Sequence, residues 1–108
     1  MGRTRIEQAD FPTLVCERLK EWGLSIRKQR VAQGILAVDL CSRLGISHPT
    51  LRRLELGEPT IGAVHYLSAL HVLGIMEMTA PQPDPTLWRM NTEAPRVRAS
   101  NKHDDEYF

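Results

Sequence analysis

The chain has 108 residues, 42% of them hydrophobic, with 14 Lys/Arg against 13 Asp/Glu and a formal charge of +1. That length suits one small domain around one core. The N-terminus lacks the apolar stretch of a signal peptide, and no apolar run approaches the roughly 18 residues that a membrane span needs, so a soluble protein is expected.

The charge is unevenly spread. From Arg27 to Arg53 there are six Arg/Lys against one acid, Asp39, which makes a local basic field on a nearly neutral chain. A Pro-Thr-apolar triplet recurs at Pro12-Thr13-Leu14, Pro49-Thr50-Leu51, Pro59-Thr60-Ile61 and Pro85-Thr86-Leu87. Each predicts a helix start, because proline tolerates the first turn, where its missing N–H has no intrahelical partner. Asp10, Ser47 and Asp84 stand upstream as N-caps, and Thr60 is the expected cap of the third.

Phe11, Val15, Leu19, Trp22 and Ile26 step by four, four, three and four. This predicts one helical stripe on a helix running to about Gln33, bent at Gly23. Trp22 is read as core, while Leu14 and Val15, on a second, outward face, are candidates for a dimer or partner contact. Leu40, Cys41 and Leu44 form a second stripe closed by Gly45; Leu51 and Leu54 form a third closed by Gly57. Ala63, Tyr66, Leu67, Leu70 and Leu73 form a fourth closed by Gly74. No convincing strand appears, so the fold class is all-α: a bundle of four to five helices containing a helix-turn-helix.

Cys16 and Cys41 both fall within apolar patterns, without metal-ligand or redox-motif spacing, and read as packing residues of a reduced, cytosolic protein. His65 and His71 share a predicted helix but not a face, so no metal is expected. With no Gly-rich phosphate loop, paired carboxylates or nucleophile with a base, neither catalysis nor a cofactor is expected.

The interval from Leu40 to Leu54 carries the chemistry. Two short helices joined around Gly45-Ile46-Ser47, apolar on their facing sides, make a helix-turn-helix. Ser47 caps the second helix through the N–H of Thr50, since Pro49 has none to give. His48, Pro49 and Thr50 are left at the exposed end, with Arg52 and Arg53 on the polar side. That end of a helix also favours phosphate.

The run from Ile26 to Ile75, "IRKQRVAQGILAVDLCSRLGISHPTLRRLELGEPTIGAVHYLSALHVLGI", resembles the Xre/Cro-type helix-turn-helix regulators over about half the chain. The resemblance implies a lambda repressor-like DNA-binding domain that acts as a homodimer on double-stranded operator DNA with an inverted repeat. It places His48, Pro49 and Arg53 at base-contacting positions and Ser47, Thr50 and Arg52 at backbone-contacting ones. Arg30 and Glu55 match a family ion pair; a buried Glu55 would need such a cation. Leu36 and Ala37 stand where the family often has a threonine and a phosphate-gripping glutamine. Pro49 can offer a base only apolar contact, which leaves Arg53 to read sequence.

The segment from Leu73 to Arg98 resembles the ends of HipB-like antitoxins, with an Asp-Pro spacer and a basic "RVR" run. The implied function is a transcriptional repressor that autoregulates its operon and restrains a HipA-like serine/threonine kinase. Trp88, Met90, Arg96 and Arg98 are the candidate partner-binding residues. The expected organisation is an N-terminal extension over 1–22, helical from about residue 11, the helix-turn-helix domain over 23–78, and a Pro-rich spacer and tail over 79–108. A cytoplasmic protein, nucleoid-associated when bound to DNA, is the corresponding expectation. Two other readings remain: an interaction module that restrains a partner enzyme with little DNA binding, and a solitary phage-type repressor.

Overall fold

A computed structural model of the chain describes residues 11–89. Among them there is no strand, and five α-helices are followed by one 3-10 turn: α1 (Thr13–Ala32), α2 (Ala37–Leu44), α3 (His48–Glu55), α4 (Ala63–Val72), α5 (Met76–Thr79) and the 3-10 helix Pro85–Trp88. The fold is all-α, as the periodicity predicts.

The first helix opens behind Pro12, whose carbonyl accepts the N–H of Cys16 at 3.1 Å; no side chain caps it. Asp10, the expected cap, lies outside the described residues. The buried line differs from the predicted stripe. Cys16, Leu19, Gly23, Ile26 and Arg30 face inward, Val15 is exposed, and Trp22 sits half-buried at the edge. Gly23, which carries no apolar signal, is the reason. It marks the centre of the packed face, and the predicted stripe runs beside it.

The helix continues through Gly23 without a break from Thr13 to Ala32. A Cβ there would fall 2.6 Å from the carbonyl oxygen of Leu54 and 2.7 Å from that of Glu55. Gly57 reciprocates: its Cβ would lie 2.5 Å from the Cα of Lys20, and its φ is +76°. Helix α1 therefore rests backbone to backbone on the end of α3, an approach only glycine permits.

Ile26, Leu40, Leu54, Tyr66 and Leu70 are the largest fully buried side chains. They come from all four of the longer helices, so one core holds α1 to α4 together. Full burial of each such aliphatic chain is worth about 1.5–3 kcal/mol. The Tyr66 hydroxyl donates to the Glu58 carbonyl at 2.8 Å, and the Trp22 ring meets the Tyr66 ring edge-on at 6.1 Å. Burial first, and the Glu58 carboxylate second, push the Tyr66 phenol well above its usual range.

Helix α4 begins later than predicted. Its N-cap is Gly62 and not Thr60; Pro59 and Thr60 belong to the turn that brings the Glu58 carbonyl over Tyr66. The one-turn α5 has no counterpart in the sequence pattern, because four residues are too few to display a period. At the last triplet Asp84 caps as expected, accepting the N–H of Thr86 at 2.9 Å. The cap leads into a single 3-10 turn, and the preceding residues 81–84 are irregular and exposed.

Candidate nucleic-acid interface

The turn between α2 and α3 is built by Gly45 and Ser47. Gly45 ends α2 in the left-handed region (φ +68°), which lets the Ile46 N–H reach back to the Cys41 carbonyl at 3.1 Å. Ile46 then packs against the core. Ser47 is extended, and its Oγ accepts the N–H of Thr50 at 3.3 Å while donating to Thr50 Oγ1 at 3.0 Å. Both hydroxyls predicted to sit near a DNA backbone are thus engaged with each other at the helix start.

Two turns of helix then divide cleanly. Leu51 and Leu54 are buried, and Glu55 lies beside them on the inner side. His48, Pro49, Arg52 and Arg53 are all exposed, and His48, Pro49 and Arg52 line a shared shallow hollow. Neither Arg52 nor Arg53 has a carboxylate within salt-bridge reach among the described residues. Their charge is therefore uncompensated among the described residues, and it adds to the positive end of the α3 dipole.

Arg30 anchors the inner side. Its Nε donates to Glu55 Oε2 at 2.8 Å, one terminal nitrogen reaches Glu55 Oε1 at 3.4 Å, and the other donates to the Ile35 carbonyl at 3.1 Å. One guanidinium thus ties α1, the α1–α2 turn and α3 together. Both side chains are largely buried, so the bidentate geometry matters: it satisfies charges that would otherwise be costly to desolvate. The neighbouring Cys41 thiol is pushed up chiefly by burial and also by the Glu55 carboxylate, against a smaller lowering by Arg30. A thiol held protonated in this way is a poor nucleophile.

Several features have little or no trace in the sequence. Leu56 is exposed beside Arg52 and Arg53, an apolar residue on an otherwise polar face; its place after Leu54 on the helix is the available signal. Leu36 and Val38 are exposed in the first turn of α2, which no side chain caps. The glycine contact between α1 and α3 has no signal except the glycines themselves. Trp88 is exposed and is not part of the core; Met90, Arg96 and Arg98 lie outside the described residues. Among the described residues no three His, Cys, Asp or Glu side chains are placed to hold a metal, and no helix is long and apolar enough to cross a membrane. No protein-family model, curated protein or solved structure matches the chain.

Proposed function

We propose that the chain is a dimeric, sequence-specific DNA-binding repressor in which α3 enters the major groove. The supporting observation is the division of α3: a Ser47-capped helix fixed from within by Leu51, Leu54 and the Arg30–Glu55 pair, with His48, Pro49, Arg52 and Arg53 outward and no acid paired with the arginines among the described residues. A major groove about 12 Å wide admits one α-helix. In this reading Arg53 reads a guanine edge, His48 and Pro49 touch neighbouring bases, and Arg52, Ser47 and Thr50 meet the sugar-phosphate backbone. Arg43 and Arg27 are also exposed and extend the basic field that draws the duplex in.

The test is to select bound duplexes from a random library and measure affinity for the winner and for unrelated DNA. Arg53→Ala should cost about 1–3 kcal/mol of discrimination at one base pair per half-site. Arg52→Ala should weaken both duplexes alike and reduce the salt dependence by about one unit of slope. A wild-type chain that prefers no duplex, even in dilute buffer, would end the proposal.

The tail motif read in the sequence, with Trp88 exposed, adds the narrower reading, an antitoxin of the HipB-like kind with a HipA-like kinase as partner, engaged through Trp88 and the basic run after it. A chain truncated after Ala80 should keep operator binding and lose the kinase. A second reading has its own support: Leu36 and Val38 expose apolar surface where a phosphate grip would be expected, which favours an interaction module with little DNA affinity. Loss of partner binding in Leu36→Ser, with wild-type binding to every duplex absent, would select it.

A further inference from the structure

The side of α1 turned away from the bundle carries its own repeat. Leu14, Glu17, Glu21, Leu24, Lys28 and Val31 are all exposed, and they follow one another by three, four, three, four and three residues. Such alternation averages 3.5 residues and draws one seam that winds slowly about the helix, the pattern that two supercoiling helices share. Three of its six positions are apolar, and they remain open: Leu14 is 69% exposed, Leu24 52% and Val31 60%. The buried face explains none of them, since the core lies against the opposite side of the same helix.

We infer that this seam pairs with the same seam of a second copy, the two α1 helices running antiparallel. The charges select the partner and its direction. A parallel pair in register would set Glu17 against Glu17 and Lys28 against Lys28. Reversing one copy about the middle of the helix, between Trp22 and Gly23, sets Leu14 against Val31, Glu17 against Lys28 and Glu21 against Leu24. A two-fold axis repeats each pairing, giving two opposite-charge pairs and two apolar pairs at the ends. Glu21, opposite Leu24, already has a cation of its own: Arg18 Nε lies 3.4 Å from its carboxylate. It can lean to the rim of the seam without losing its partner.

The size of the surface sets its strength. Twenty helical residues extend about 30 Å, and a single helix pair of that length buries an area near the low end of specific interfaces, about 1,200 Å². The association is therefore weak and concentration-dependent when no DNA is present. It supplies the copy-to-copy surface that the repressor reading needs, yet it rests on α1 alone, and the two readings fail separately because association is measured without DNA.

Sedimentation equilibrium on the full chain over a wide concentration range tests it. Wild type should show a monomer–dimer equilibrium. Lys28→Glu and Glu17→Lys should each weaken it about tenfold, as two attractive contacts become repulsive. The double swap Glu17→Lys with Lys28→Glu should restore it to within about threefold of wild type. Because these residues are exposed, the helical circular dichroism of all variants should match. A chain that stays monomeric throughout, a dimer untouched by either single variant, or a double swap no better than the singles would overturn the inference.

Discussion

Helix α3 and the 3-10 turn at Pro85–Trp88 begin with nearly the same words. Ser47 precedes Pro49-Thr50-Leu51, and Asp84 precedes Pro85-Thr86-Leu87; each cap accepts the N–H of the threonine. From there they part. Helix α3 continues to Glu55 with Leu51 only 2% exposed, whereas the later turn stops at Trp88 with Leu87 74% and Trp88 64% exposed. A cap and a proline decide where a helix is allowed to start. Whether it continues depends on a core to receive its apolar side, because a short helix gains too little from its own hydrogen bonds.

Four measurements put that contrast at risk. The largest effect is expected from Glu55→Ala, which leaves Arg30 buried without its counter-charge and should cost about 3–5 kcal/mol in urea unfolding; the later turn has no such anchor among the described residues. Next, Leu54→Ala should cost about 2–5 kcal/mol, whereas Leu87→Ala should stay within about 0.5 kcal/mol. Similar losses at the two leucines would mean that the tail is held as firmly as α3. Smaller again, Ser47→Ala should remove about 1 kcal/mol, while Asp84→Ala should leave the unfolding midpoint where it was and alter only the local turn.

The smallest effect is a matter of pH. The N–H and hydroxyl of Thr86 hold the Asp84 carboxyl below its usual value. A depressed carboxyl supports the turn at any pH above its unfolded value, about 3.9, and that support is lost as pH falls through the lower folded value. The Thr86 amide resonance should therefore move in acid with a midpoint below that of an unstructured aspartate. A midpoint at the ordinary value would show that the cap is not made in solution.

The parts of the molecule legible in the sequence are those where chemistry and period coincide. Helix α3 is legible because Ser47, Pro49, Leu51, Leu54 and Gly57 each mark it independently. The Arg30–Glu55 pair is legible only through the family resemblance, since residues twenty-five apart share no local pattern. Apolar spacing places the register of α1 off by one line of residues, because glycine contributes packing without hydropathy. Thr60 is a misleading cap, since a turn stabilised from outside, by Tyr66 on the Glu58 carbonyl, delays α4 to Ala63. The outward arginines can be named from sequence, but the lack of a paired acid among the described residues cannot, because that depends on how α1 and α2 pack around α3.

The closeness of Gly23 to the α3 carbonyls bears on anyone wishing to make this protein sturdier. Mid-helix glycine is ordinarily a weak spot, and alanine in its place gains about 0.5–1 kcal/mol. Here the added methyl would have to share space with the Leu54 and Glu55 oxygens, and the two helices would be wedged apart. The routine improvement becomes damage, and since the wedge would tilt the very segment that bears Arg52 and Arg53, a thermal-shift campaign that ranked variants by local propensity would pick the wrong residue first.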